Sequence, residues 1–277
     1  MKKKILAGIL AGVLSLGLIG CGSNGATSNE GSNSSDDKII KIGVSPEPHA
    51  SIVEVAKPLL EEKGYTVEIV EFNDYVLPNT AVEEGELDAN YFQTIAYLES
   101  FNDEKDTHLT YTAEIHLEPM GAFSNKYKSL DEVEDGATVA IPDDTSNEAR
   151  ALKVLAAAGL IEINDGDLIT VADITSNPKN LNFKVLEAAT LPRVLEEVDI
   201  AVINGNYALE AGLDVNNDTI CKEDKDAEDL QGRRNVLAVK EGNENTQKIK
   251  DLTEALTSDE VREFIEKEYN GAVVPVF

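Results

Sequence analysis

The feature that most constrains this chain is an alternation of short, β-rich apolar runs with segments of helical spacing, which occurs twice. In the first series, residues 39–44 form a β-rich run. Residues 51–63 carry Ile52, Val55, Ala56 and Leu59 at helical spacing, with Gly64 as the stop and Pro58 predicting a kink. Residues 66–72 read as a strand, 79–84 as a short helix and 87–92 as a third strand, followed by a helix to about residue 102. Residues 109–124 are long and β-like, with Pro119 interrupting them. The second series has a strand at 138–141 and a helix at 146–158 closed by Gly159. Strands at 168–172 and 184–188, a short helix at 191–197 and a buried strand at 199–204 follow. A strand at 235–240 precedes helices at 246–256 and 258–269, the last with Ser258 as its N-cap. Alternation of this kind predicts α/β architecture with mostly parallel sheets flanked by helices. Two series predict two lobes, residues 38–122 plus 236–277 and residues 123–235, so that the C-terminal helices return to the first lobe. Ligands of open α/β sheets sit beyond the carboxyl ends of the strands, which places a site in the cleft between the lobes.

The chain before residue 38 has a different character. Lys2, Lys3 and Lys4 precede an apolar run from residue 5 to 19, which ends in Leu18-Ile19-Gly20-Cys21. A basic start, a short apolar run and small residues at the cut read as an export signal over residues 1–20. The run is shorter than the roughly 20 residues of a membrane-spanning helix. Its ending resembles the lipobox of bacterial lipoproteins, in which the cysteine is lipidated and becomes the first residue. Each buried methylene adds about 0.8 kcal/mol, so several acyl chains on Cys21 anchor stably where one would not. Residues 21–37 contain no large apolar side chain after Cys21 and are expected to form a flexible tether. Three of the 24 basic residues lie in the leader, which leaves 21 against 52 acidic residues and a formal charge of −31. Such a surface repels nucleic acid and anionic lipid, so the membrane partner is reached through the lipid anchor alone. Cys221 is the one other cysteine, too few for an internal disulfide or a zinc site.

The residues that bear chemistry favour binding over catalysis. The chain lacks the nucleophile elbow, zincin helix, P-loop and dinucleotide fingerprint, and it has three histidines, His49, His108 and His116. Asp214, Asn216 and Asp218 have the start of a calcium-loop spacing. Thr219 stands where the loop needs glycine and Lys225 where it needs glutamate. No catalytic residue, metal site or cofactor is expected. The stretch from Ile141 to Leu152 is more informative. Thr145 and Glu148 fit a capping box with Thr145 at the N-cap. Asn147 and Arg150 then share one face of the first turns. A helix start favours an anion, and the guanidinium of Arg150 offers a planar fork to a carboxylate. On this reading Arg150→Ala leaves folding nearly intact. Three other strand ends are polar: residues 72–75, 88–94 and 199–207. Their amides both donate and accept, which suits a zwitterion, and Tyr75 and Phe92 offer walls for an apolar side chain. The same asparagines are also common turn formers, and the aromatics are equally at home in a core.

Several long motifs occur together: residues 72–79 (FNDYVLPN), 85–93 (GELDANYFQ), 116–121 (HLEPMG), the 141–152 stretch, 191–195 (LPRVL), 202–208 (VINGNYA) and 271–275 (GAVVP). In this order they resemble the NlpA-type methionine-binding lipoproteins, over essentially all of residues 38–277. The resemblance implies a fold like that of periplasmic binding proteins, two α/β lobes closing on a free amino acid, L-methionine in this family. It implies as partners a membrane permease and a separate ATPase subunit. It implies that Arg150 holds the ligand carboxylate and that Asn206 and Asn235 bind polar groups, with Asn147 nearby. Tyr75 and Phe92 would line the side-chain pocket. The chain departs from the family twice. Thr94 replaces a common histidine after the Phe-Gln pair, which leaves room for a related or larger apolar amino acid. Residues 223–235 (EDKDAEDLQGRRN) are longer than the family pattern and lack its Ser-Pro-Tyr before Asn235. Two other readings remain at this point: an enzyme acting on an amino acid on the same fold, and a surface lipoprotein for attachment.

Overall fold

The computed structural model describes residues 38–224 and 231–277. The expected leader 1–20, the lipidated Cys21 and the tether 21–37 lie outside the described residues. Two sheets form two lobes. The first lobe begins with β1 (Ile39–Val44), α1 (Ser51–Glu62), β2 (Thr66–Glu71), α2 (Leu77–Glu83), β3 (Ala89–Thr94), α3 (Ile95–Lys105) and β4 (Leu109–Leu117). The second contains β5 (Gly121–Phe123), β6 (Thr138–Pro142), α4 (Thr145–Ala157), β7 (Glu162–Ile163), β8 (Ile174–Ser176) and β9 (Asn182–Leu186). It continues with α5 (Leu191–Val194), β10 (Ile200–Ile203), α6 (Gly205–Glu210) and β11 (Thr219–Lys222). The chain then returns through β12 (Arg234–Lys240), α7 (Gln247–Leu256), α8 (Asp259–Tyr269) and β13 (Val274–Pro275).

The six-stranded sheet has the order β13-β4-β12-β3-β1-β2 and the five-stranded sheet β11-β5-β10-β6-β9. The expectation of mostly parallel sheets needs correction, because both are mixed. β1 pairs in parallel with β2 and β3, but β12 runs antiparallel to both β3 and β4. In the second sheet β6 is parallel to β9 and β10, while β5 is antiparallel to β10 and β11. The cause is the exchange of chain between lobes. Gly121–Phe123 already pairs in the second sheet and Arg234 in the first, so each sheet gains strands that arrive without a crossover helix. Pro119 sits at the first of these switches.

Two cores hold the lobes. Ile40, Ile42 and Val44 of β1 pack against Ile52, Val53 and Leu60 of α1 and against Leu252, Leu256, Val261 and Ile265 of α7 and α8. Helix α1 runs through Pro58 and presents its apolar stripe to that core. The second core joins Val139 and Ile141 of β6, Leu152 and Leu155 of α4, and Ile200 and Val202 of β10. Residues 168–172, expected as a strand, instead lead into a 3-10 turn at Val171–Asp173, where Thr170 forms a capping box with Asp173. The apolar run is too short to outweigh that local hydrogen bonding. Helix α6 and β11 have no local signal in the sequence, where Gly205 and the aspartate-rich turn before Thr219 mask them.

Candidate functional site

A cavity lies between the lobes, nearly filled by the side chains around it, with about 20 Å³ within reach of a water-sized sphere. All seven residues singled out in the sequence line it: Tyr75, Phe92 and Thr94 from the first lobe, Asn147, Arg150 and Asn206 from the second, and Asn235 at the start of β12. Gln93, Tyr97, Glu118, Asn204 and Gly205 complete the wall and were not singled out.

The aromatic side is built on β3. Its register with β12 slips between Val236 and Leu237 and leaves Phe92 unmatched, a bulge that turns its ring out of the strand alternation. Phe92 packs with Tyr97, Phe101 and Tyr75. The Tyr75 ring lies 5.6 Å from Phe92 and 5.5 Å from Tyr97, and it stacks on Tyr207 of the other lobe at 4.9 Å. The Tyr75 hydroxyl donates across the cleft to Asn206 Oδ1 at 2.5 Å. Thr145 Oγ1 reaches Glu104 on the opposite lobe at 2.5 Å, so the lobes are in contact along both rims. Thr94 Oγ1 accepts from the Tyr97 N–H and thereby caps α3, which fixes its hydroxyl at the wall.

The polar side starts at α4. Its N-cap is Asp144 rather than Thr145: the Asp144 carboxylate accepts from the Asn147 N–H at 2.9 Å, and Glu148 turns away to the Val171 N–H. A carboxylate one residue earlier captures the free N–H groups better than a hydroxyl. The side-chain amide of Asn147 is consumed within the protein. Its Nδ2 donates to both Asp144 oxygens and its Oδ1 accepts from Asn204 Nδ2. Asn147 therefore orients Asn204, whose Oδ1 is buried with no hydrogen-bond partner among the described residues; the same holds for Asn206 Nδ2. An unmatched buried polar atom costs about 1–3 kcal/mol, and both of these asparagines line the cavity, where a ligand or a water would complete them.

Arg150 faces the cavity but not with an empty fork. Its Nε and Nη2 donate to the two oxygens of Glu223 at 2.8 and 2.6 Å, and Nη2 also donates to the Glu118 carbonyl at 2.7 Å. Burial works against the charge of Arg150, but the facing Glu223 outweighs it and holds the guanidinium protonated. Burial alone would raise the Glu223 carboxyl, yet Arg150 and Arg233 hold it below the usual carboxylate range. Glu223 also accepts from the Met120 N–H at 2.8 Å.

Behind this wall lies a fully buried cluster. Tyr91 donates to His116 Nδ1, and His116 Nε2 donates to Glu118 Oε1 at 2.7 Å. His49 Nε2 lies 3.2 Å from Asn235 Oδ1 and 3.4 Å from Glu118 Oε1. Burial lowers His116 to about 3. It also lowers His49 to about 4, against the opposing pull of Glu118. Both rings are neutral near pH 7. With its proton on Nε2, His49 donates to Asn235 Oδ1, and Asn235 itself lines the cavity. The potential ligand atoms of His49, His116 and Glu118 lie within 4.8 Å of one another. The 2.7 Å His116–Glu118 contact is a hydrogen-bond distance, tighter than the about 3.3 Å between two ligands on a tetrahedral ion at 2.0–2.1 Å, so the cluster is wired as a proton-sharing network. Burial likewise raises the Glu118 carboxyl, opposed by His49 and Arg150.

The family model for NlpA lipoproteins matches residues 40–277. The chain belongs to the NlpA lipoprotein family. The methionine-binding lipoprotein MetQ of Bacillus subtilis is 39% identical over 99% of this chain and 99% of its own. Among solved structures, a nutrient-binding protein from Burkholderia cenocepacia bound to methionine is 39% identical with a TM-score of 0.82, covering 86% of this chain and 100% of its own. An ABC transporter periplasmic substrate-binding protein from Coxiella burnetii is 36% identical with a TM-score of 0.81, covering 86% and 100%. Within this family, the cavity between two α/β lobes is the candidate ligand site of the chain. No helix among the described residues is long and apolar enough to cross a membrane.

Proposed function

We propose that this NlpA-family chain is a substrate-binding lipoprotein of an ABC importer, which captures a free amino acid, L-methionine, in the interlobe cavity and delivers it to a membrane permease served by a separate ATPase. The observation that carries this reading is the polarity of the cavity. One wall offers donors, Arg150 Nη1, Asn235 Nδ2 and Asn206 Nδ2, to a carboxylate. Asn204 Oδ1 and the Glu118 carboxylate offer acceptors to an ammonium. Tyr75, Phe92 and Tyr97 enclose an apolar side chain. A zwitterion with an unbranched apolar side chain completes these groups at once, and unmatched buried atoms give it a binding advantage over water-soluble neutral ligands. Among the described residues the lining has one hydroxyl beside the tyrosines, Thr94, whose oxygen caps α3, one carboxylate, Glu118, and no histidine, lysine or cysteine.

Lipid on Cys21 would hold the protein at the extracytoplasmic face of the membrane, with residues 21–37 as tether. Closure around the ligand and reopening at the permease follow from the two-lobed build, because a permease that binds the open form better drives release. Mass spectrometry of the purified protein under native conditions tests the reading. The expected result is one retained amino acid, unchanged on incubation. Release of a chemically altered product contradicts it.

A further inference from the structure

Arg150 has five N–H donors, and three of them are spent before any ligand arrives. Nε and one Nη2 hydrogen face Glu223, and the other Nη2 hydrogen faces the Glu118 carbonyl. Among the described residues no hydrogen bond uses Nη1. The bidentate edge that the sequence assigned to a ligand carboxylate is thus occupied by a carboxylate of the protein itself. Glu223 is in turn shared. Arg233, in the 3-10 turn just before β12, lies 3.3 Å from its Oε1, and the Met120 N–H holds its Oε2. Glu223 follows β11 in the second lobe, whereas the turn that carries Arg233 packs on α3 of the first, with Gly232 close to Ala96. Arg233 also belongs to the segment 223–235 in which this chain departs from the family pattern.

We propose that Glu223 and Arg233 are specificity-determining residues of the ligand site: Glu223 takes the Nε–Nη2 edge of Arg150, leaves only Nη1 for the ligand carboxylate, and sets how much of the Arg150 charge the ligand feels, while Arg233 draws on Glu223 and restores part of that charge. The inference rests on the amino-acid reading above. Its physical basis is charge balance in a buried place. The Arg150 and Glu223 side chains are 12% and 6% exposed, where solvent screens little, while the Arg233 side chain is 21% exposed. A ligand carboxylate at Nη1 therefore meets a guanidinium half neutralised by a permanent competitor. The ion triad tunes the discrimination between a charged carboxylate and a neutral group of the same shape. It places that control in two residues that need not touch the ligand.

The test compares L-methionine with L-methioninamide, which has the same shape but no carboxylate charge, by titration calorimetry on wild type, Glu223→Gln and Arg233→Gln. Removing the negative charge at 223 raises the acid-to-amide affinity ratio by about tenfold, the scale of one nearby charge at intermediate dielectric. Removing the positive charge at 233 lowers the same ratio by about threefold, since that side chain is farther away and more exposed. A merely structural role weakens both ligands alike and leaves the ratio where it was. Thermal unfolding of each variant shows that it is folded, and Arg233→Gln, at a partly exposed turn, provides a second route if Glu223→Gln folds poorly. A ratio that is unchanged or falls in Glu223→Gln, or that is unchanged or rises in Arg233→Gln, overturns the proposal. Wild-type protein that binds neither compound overturns the amino-acid reading itself, and this proposal with it.

Discussion

Removing Arg150 is expected to damage the fold as well as the site. The sequence presents Arg150 as a cleft residue whose loss leaves folding nearly intact, but the structure pairs it with Glu223, a carboxylate whose side chain is only 6% exposed. In Arg150→Ala that carboxylate keeps the Met120 N–H at 2.8 Å and Arg233 at 3.3 Å, and it loses two hydrogen bonds of 2.8 and 2.6 Å. Breaking a buried pair from one side costs about 3–5 kcal/mol, because the remaining charge stays desolvated. The surviving partners place this case near the lower end, about 3 kcal/mol. The double variant Arg150→Ala/Glu223→Gln removes the stranded charge and is expected to lie within about 1 kcal/mol of Glu223→Gln alone, which gives a coupling energy of about 2 kcal/mol. Urea unfolding of the four proteins, followed by circular dichroism at pH 7.5 without ligand, measures this. The loss in Arg150→Ala should also shrink at low pH, where the stranded Glu223 takes up a proton. An Arg150→Ala protein within about 0.5 kcal/mol of wild type, or a coupling near zero, would show that the two charges do not depend on each other.

Other outcomes follow from the same structure. His116 is held near 3 and His49 near 4, below an unfolded value of 6.5, so their contribution to stability is complete above pH 6.5 and is lost as pH falls toward those values. His116→Gln, which keeps a donor toward Glu118, should be free of its share. Between pH 7 and pH 4 the stability gap from wild type should close by roughly 3 kcal/mol, read by urea unfolding at the two pH values, and a gap that stays constant rules this out. Gly205→Ala should weaken ligand binding and cost about 1–3 kcal/mol of stability, since its new Cβ would meet Glu118 Cβ at 2.7 Å and Oε2 at 2.8 Å; unchanged unfolding and calorimetry would show that the wall yields. Cys21→Ser should abolish incorporation of labelled acyl chains and release the protein from membranes; continued labelling means that another residue carries the anchor.

What the sequence discloses and what it conceals divide along sequence distance. Helices α1, α4 and α8 and strand β1 are legible because their periodicity, stops and caps are local. Ser258 does cap α8 by accepting from the Val261 N–H. The N-cap of α4 is misread by one residue because Asp144 and Thr145 are adjacent and both can cap. Sheet polarity is not legible, because β12 pairs with β4 more than 100 residues away, and no local pattern encodes that. The cavity lining is legible in its polar strand ends, and Asn206, Asn235 and Tyr75 do meet there. The division of labour among those residues is not. Asn147 looks like a ligand group until Asp144 and Asn204 are seen to consume its amide, and Arg150 looks like an open fork until Glu223, 73 residues away, is seen in it. Glu118 and Asn204 stand inside the motifs HLEPMG and VINGNYA, but only folding shows which of their atoms face the cavity wall.

Whether the cavity binds an amino-acid zwitterion with the methionine side chain is decided by titration calorimetry of the ligand-stripped protein over a panel of amino acids. The panel should include both enantiomers of methionine, leucine, phenylalanine, N-acetylmethionine and methionine methyl ester. L-methionine is expected to be the tightest ligand. The N-acetyl and ester forms, which remove the charge facing Glu118 and Asn204 or that facing Arg150, should each bind at least about tenfold more weakly, the effect of about 1.4 kcal/mol. A larger apolar amino acid that outcompetes methionine would assign the difference to Thr94 and correct the ligand. Blocked forms that bind as tightly as the free amino acid, or a panel with no binding at all, would show that the cavity is not an amino-acid site.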